Sequence, residues 1–256
     1  MNTELNRPIP SSDNPPGIWS DIDVLLITIA IISLILAGIV GYRYVADSIQ
    51  PQGTQNTNIT LRLSIGVGIL ESAVFIGCVY FLGIRRRKLP WSAAGLCPTS
   101  ADWIVKGILL GLAVIPLSGL ITIVIQLSLG KPLGNPQLPF LAPEGFSWTW
   151  ALSMILLGGL AAPFAEELYF RGVLYPWLRQ RWGIWISTLS SALVFAMVHG
   201  EVSIAGAAFV LGIILAWSYE QSGSLWPSVL IHALNNSFKI ILLYFMLAHG
   251  LIPPTS

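Results

Sequence analysis

Charge is what this sequence has least of. Only 10% of its 256 residues are Asp, Glu, Lys or Arg, against 54% hydrophobic ones, and the mean hydropathy is +0.74. Such a balance excludes an ordinary soluble globular chain. The net charge of +1, with no basic cluster carrying interleaved aromatics, gives no reason to expect nucleic acid as a partner. Cysteine is nearly missing: Cys78 lies in an apolar run and Cys97 in a loop, which makes neither a disulfide framework nor a CxxC metal site. Neither cysteine stands beside a histidine, so no nucleophile of the triad type can be nominated. An HExxH zinc signature is absent as well. Residues 1–21 carry four prolines and scattered acids; they read as a disordered cytoplasmic tail, too long and acidic before the first apolar run for a signal peptide.

In place of charge the chain has long uncharged runs. Val24–Tyr42 is 19 such residues, enough to cross a hydrocarbon core about 30 Å thick. A loop of about twenty polar residues around Gln50-Pro51-Gln52-Gly53 separates it from Leu63–Ile84. That second run is interrupted only by Glu71, to which a structural role is assigned. Gly107–Gly130 holds Pro116 and a Gly107-xxx-Gly111 pair suited to close helix packing. Gly145–Ala165, Trp182–Gly200, Val202–Tyr219 and Trp226–Ala248 complete seven runs. The expected fold class is all-α, a polytopic membrane bundle of about seven to eight transmembrane helices. An eighth would come from residues 85–103 or a split last run. The block Arg85-Arg86-Arg87-Lys88 sets the orientation, with the amino terminus in the cytoplasm, nine Lys/Arg inside and three outside.

The centre of interest is 164–199. An uncharged run of 21 residues, Gly145 to Ala165, leads straight into Glu166-Glu167, and a second ends around His199. Intramembrane ionisable groups are costly and mark functional sites. If the two runs form a hairpin turning near Gly183, Glu166 lies 17 residues before the turn and His199 lies 16 after it. At about 1.5 Å per residue both sit roughly 25 Å from it, at one depth. Glu167 and Arg171 are i,i+4 neighbours, so Glu167 is expected to be tied to Arg171, leaving Glu166 free for chemistry. In the last run His232 and Asn236 share a face.

Glutamate, two histidines and an asparagine can abstract a proton from water and donate to the developing oxyanion. The set Glu166, His199 and His232 could instead bind zinc and leave a fourth position for water. The metal-free version is preferred, with no cofactor. A different function class stays open: a transporter, or a scaffold binding a partner helix through the same polar site. No internal repeat of hydropathy supports the transporter.

Glu166-Glu167-xxx-Arg171, Phe195-xxx-His199 and His232-xxx-Asn236, with Phe170-Arg-Gly-Val-Leu-Tyr and Ser222-Gly-Ser-Leu-Trp-Pro-Ser around them, resemble the motifs of a known family. It is the CAAX prenyl endopeptidase and bacteriocin-processing (CPBP, or Abi) family of intramembrane proteases. The resemblance covers about 104–245. It implies an endopeptidase acting on a membrane-associated peptide or protein, embedded in the plasma, inner or an organellar membrane, with its active site towards the cytoplasm. Glu166 and His199 would activate water, His232 and Asn236 would form the oxyanion hole, and Glu167, Arg171 and Phe195 would support them. Members are described both as metallo- and as glutamic proteases. The chain then divides into the tail 1–21, two amino-terminal helices and a cytoplasmic loop at 22–103, the protease-like core at 104–248 and a short tail at 249–256.

Overall fold

The computed structural model describes residues 18–49, 57–142 and 145–252. Residues 1–17 of the polar tail, residues 50–56, residues 143–144 and the last four residues lie outside the described residues. Every regular element among the described residues is helical. Helix α1 is Asp21–Ile49. Helix α2 is Thr57–Cys78, running on as a π turn over Val79–Arg85. The first loop is therefore much shorter than the apolar runs implied, because a helix satisfies its own backbone in water too and need not stop where the apolar run does.

Helix α3 is Ala101–Ser128. The stretch Trp148–Met197 is helical throughout except at Gly183, where φ 71° and ψ −177° lie in a region open to glycine. Its two arms are α4, before Gly183, and α5, after it. Helices α6 (Val202–Ser222) and α7 (Leu225–Ala248) follow. Six helical stretches are long and apolar enough to cross a membrane, the one holding both arms among them. Counting the arms separately gives the seven helices read from the sequence. The 85–103 region supplies only a 3-10 turn, Trp91–Ala94, and no eighth helix.

Helix α3 lies against α6 and α7, α2 packs on α1 and α4, and α5 packs on α6. The Gly107/Gly111 pair is used as its spacing implied: a Cβ at Gly111 would meet Leu234 of α7 at 2.9 Å. Leu25, Ile29, Ile32 and Leu36 on α1, and Leu109, Leu112, Leu120 and Val124 on α3, stay exposed, an apolar belt that suits lipid.

One end of the bundle is tied together by polar groups. Asp23 is buried and binds Arg86 and Arg87 at the end of α2. Trp19 Nε1 donates to Gly172 O of α4 at 2.7 Å, and Trp177 Nε1 donates to Asp21 at 2.8 Å. Residues 19–21, placed in the disordered tail by composition, are thus part of the folded body. Their anchoring depends on partners 153 to 160 residues away, which composition does not register.

Candidate active site

The two glutamates sit on one regular stretch of α4, Ala162–Tyr169, between π turns over Ile155–Ala161 and Phe170–Leu174. A π turn frees backbone carbonyls from the usual ladder. Two of them are taken up by α7: Asn236 Nδ2 donates to Gly158 O at 3.3 Å and Ser237 Oγ donates to Gly159 O at 3.2 Å. The hairpin is set by ring contact. Phe170 and Phe195, 13 residues before and 12 after Gly183, lie 5.1 Å apart between centroids. One further turn along each arm carries Glu166 and His199, which the hairpin arithmetic placed at one depth.

A buried polar chain crosses four helices here. Arg171 Nη1 donates to Glu167 Oε1 at 2.8 Å, both side chains fully buried, as the i,i+4 spacing implied. Arg171 Nη2 donates to Gly212 O of α6 at 3.0 Å. His232 Nδ1 reaches the same Glu167 oxygen at 3.0 Å. A carboxylate only accepts, so Nδ1 carries the proton and Nε2 of the neutral ring is a lone pair. That lone pair lies 3.9 Å from Glu166 Oε2 and 3.4 Å from Asn236 Nδ2. Asn236 Oδ1 in turn accepts from Asn235 Nδ2 at 3.0 Å, and Asn235 Oδ1 meets the Ser118 hydroxyl of α3 at 3.1 Å.

His199 follows the same pattern. Its Nδ1–H donates to Phe195 O at 2.8 Å, which again leaves Nε2 as an acceptor. The Phe195 ring stands against both imidazoles, 4.9 Å from that of His199 and 5.5 Å from that of His232, and the Arg171 guanidinium lies over it at 4.7 Å. Phe195 is thus the packing piece between the two histidines. The structure therefore brings together Glu166, Glu167, Arg171, His232 and Asn236 by direct contacts, and His199 through Phe195.

Two ionisable groups join this site that its sequence motifs do not contain. Gly68 lies against Leu157, and Phe75 packs on Tyr169 and Phe170 at 5.7 and 6.2 Å. These contacts bracket Glu71 on α2 and Glu166 on α4, which are close enough to feel each other's charge. The spacing Gly68, Glu71, Phe75, Cys78 puts Glu71 on the stripe facing α4, a signal visible in the sequence but not tied there to Glu166. Lys239 stands on the same α7 stripe as His232 and Asn236, and it too is electrostatically close to His199. His249, the third histidine, is exposed and bonds the Phe245 carbonyl at 2.9 Å, far along α7.

The donor chemistry half fits zinc. Both histidines turn Nε2 inward and commit Nδ1–H to a carboxylate or a carbonyl, the outer-shell pattern of metal-ligating imidazoles. Yet among the described residues no three His, Cys, Asp or Glu side chains stand close enough to share a metal ion.

Residues 147–238 match the family described as type II CAAX prenyl endopeptidase Rce1-like. This stretch resembles an Rce1-like domain. It holds all seven motif residues, while Glu71 and Lys239 fall outside it. The chain is also 24% identical over 89 residues to "Putative membrane peptidase YdiL" of Bacillus subtilis (strain 168), a match covering 35% of this chain and 36% of that protein. No solved structure matches. The CAAX and bacteriocin-processing protease resemblance read from the motifs thus stands on an independent match, in a multi-pass helical membrane protein.

Proposed function

We propose that this protein is an intramembrane endopeptidase that hydrolyses a peptide bond of a membrane-associated protein or peptide with water activated at Glu166. The observation that carries the reading is the gap between Glu166 Oε2 and His232 Nε2. The glutamate oxygen is buried and makes no hydrogen bond among the described residues, and the two acceptors stand 3.9 Å apart. That is a span one water bridges by donating to each. Glu166 takes the proton as the water oxygen attacks the carbonyl carbon, and the same proton passes to the amine when the C–N bond breaks. Asn236 supplies N–H to the oxyanion, since its present bonds at 3.3 and 3.4 Å are long and easily exchanged. His232, whose neutral ring spends its N–H on Glu167, aligns the water and donates to an oxyanion only after taking a proton on Nε2. His199, with its own Nε2 lone pair free, assists on the α5 side.

The site lies towards the cytoplasmic side. His232 is seven residues into α7, about 10 Å from its start, at the end where the basic residues gather. The two tautomers support a second reading, in which Glu166, His199 and His232 draw together on zinc. The experiment is cleavage of a defined peptide library by the purified protein in lipid nanodiscs, with Glu166→Gln beside it. Cleavage lost in the variant supports a peptidase. A library left intact by both proteins supports the scaffold or transporter reading.

A further inference from the structure

The run of side-chain hydrogen bonds continues past Asn236 into two residues that the reaction just described leaves without a task. Asn235 is 1% exposed and Ser118, on α3, is 3% exposed. Polar side chains inside a membrane bundle ordinarily tie helices together. Yet α3 and α7 already interlock without them, at Gly107 and Gly111, where an added Cβ would meet Leu230 at 3.3 Å and Leu234 at 2.9 Å. What the pair decides is the direction of the chain. The Glu167 carboxylate accepts the proton of His232 Nδ1 at 3.0 Å, so Nε2 can only accept. Gly158 O and His232 Nε2 are then two acceptors, at 3.3 and 3.4 Å, and both take an N–H of Asn236. Asn236 Oδ1 is turned away from them and accepts from Asn235 Nδ2 at 3.0 Å. That leaves Asn235 Oδ1 facing the Ser118 hydroxyl at 3.1 Å. The hydroxyl has one hydrogen and a second acceptor, Ile115 O at 3.0 Å, so it either donates to Asn235 or turns back to its own helix.

We propose that Asn235 and Ser118 are positioning residues that hold the Asn236 amide with its nitrogen, and not its oxygen, towards the gap between Glu166 and His232. This rests on the peptidase reading. The two ends of an asparagine amide have nearly the same shape and opposite polarity. With Nδ2 at the gap the amide donates to an oxyanion, and with Oδ1 there it repels one. A turned amide would set Asn236 Oδ1 against Gly158 O and the His232 lone pair, and its Nδ2 against the Asn235 nitrogen. The bond from Asn235 keeps the amide aimed while its long bonds to Gly158 and His232 are exchanged for the oxyanion. Ser118 fixes Asn235 in turn, which extends the control of the oxyanion donor to α3, outside the 147–238 match.

The test is a double-mutant cycle on the full chain in lipid nanodiscs, read on a library peptide that the unsubstituted protein cleaves. Asn235→Leu keeps the branched shape, removes the donor and leaves Ser118 its bond to Ile115 O. The expected result is about a tenfold fall in kcat with KM unchanged, the effect of one hydrogen bond that counts in the transition state. On an Asn236→Ala background the same substitution should cost nothing further in kcat, because Asn235 acts through Asn236. Ser118→Ala should lower kcat in the same manner, and Ser118→Thr, which keeps the hydroxyl, should restore it. An unchanged kcat in Asn235→Leu, or a loss that repeats in full on Asn236→Ala, overturns the proposal and makes the two residues plain interhelical ties. Isotope-labelled asparagine gives a readout that needs no catalysis. The side-chain amide signal of Asn236, identified by its loss in Asn236→Ala, should exchange its protons with water faster in Asn235→Leu and in Ser118→Ala. Faster exchange in a protein that cleaves no peptide would keep the positioning role and remove the peptidase. Unchanged exchange in a protein that does cleave would do the reverse.

Discussion

His232 and Glu167 stand 65 residues apart and are joined by a 3.0 Å hydrogen bond that decides which ring nitrogen of the histidine faces Glu166. Glu167 also carries the Arg171 guanidinium, so one carboxylate fixes the tautomer of an imidazole and neutralises a buried cation.

Glu167→Gln would strand Arg171 at a fully buried position and release His232. Breaking one partner out of such a pair costs about 3–5 kcal/mol. The expected outcome is a sharp fall in folded yield and in thermal midpoint in detergent, together with activity. Glu166→Gln should keep yield and midpoint near the unsubstituted protein while abolishing turnover, because Glu166 Oε2 has no hydrogen bond among the described residues to lose. Size-exclusion profiles and melting curves of the two variants side by side separate the roles, and the reverse pattern would exchange them.

The parts of this arrangement that were legible in the sequence are the local ones. The i,i+4 pair of Glu167 and Arg171, the shared face of His232 and Asn236, and the turn at Gly183 all follow from helix geometry over a few residues. The hairpin depth was legible too, since counting residues from one glycine needs only the rise per residue. What escaped was set by packing between helices. The bond from His232 to Glu167 depends on how α7 is rotated against α4, and the approach of Glu71 to Glu166 depends on the register of α2. The folded Trp19–Asp21 segment likewise depends on Gly172, Trp177 and Arg181, far away in the chain. No periodicity carries such information.

Asn236→Ala removes the side-chain amide that lies 3.4 Å from His232 Nε2, beside the gap to Glu166. The expected loss is about 10²–10³-fold in kcat, with KM little changed, because the contact strengthens only as the oxyanion forms. Asn236→Asp should lose at least as much, since a carboxylate repels the same charge. A drop confined to KM would assign Asn236 to substrate binding instead.

At the start of α6, Glu201 is the capping residue, accepting from Ser203 N at 2.7 Å, Ile204 N at 3.0 Å and Lys131 Nζ at 2.7 Å. The lysine and the Ser203 hydroxyl are the main causes that hold its carboxyl down at about 2 instead of 4.5. A depressed carboxyl stabilises the fold fully above its unfolded value and loses that contribution as the pH falls through the folded one. Melting temperature should therefore decline between about pH 4.5 and 2, and Glu201→Gln should flatten that part of the curve while costing about 1 kcal/mol at neutral pH. An unchanged slope in the variant would show that another group dominates acid unfolding.

The question of metal turns on two ring atoms. With Nδ1 of His199 given to Phe195 O and Nδ1 of His232 given to Glu167, both Nε2 lone pairs are available, which suits a ligand and a hydrogen-bond acceptor alike. The two readings part on stoichiometry. Under the glutamic mechanism, protein purified through chelator and dialysed into metal-free buffer keeps full kcat, and added zinc does not raise it. Under the zinc reading, metal analysis finds about one zinc per chain, chelation removes activity, and zinc restores it. His232→Gln discriminates further. Losing a ligand abolishes zinc retention outright, whereas losing only the alignment of the water leaves metal content untouched and costs about 10²–10⁴-fold in rate, the range for a group that assists proton transfer. Activity that tracks bound zinc through chelation and rescue would sink the metal-free mechanism and make Glu166, His199 and His232 ligands.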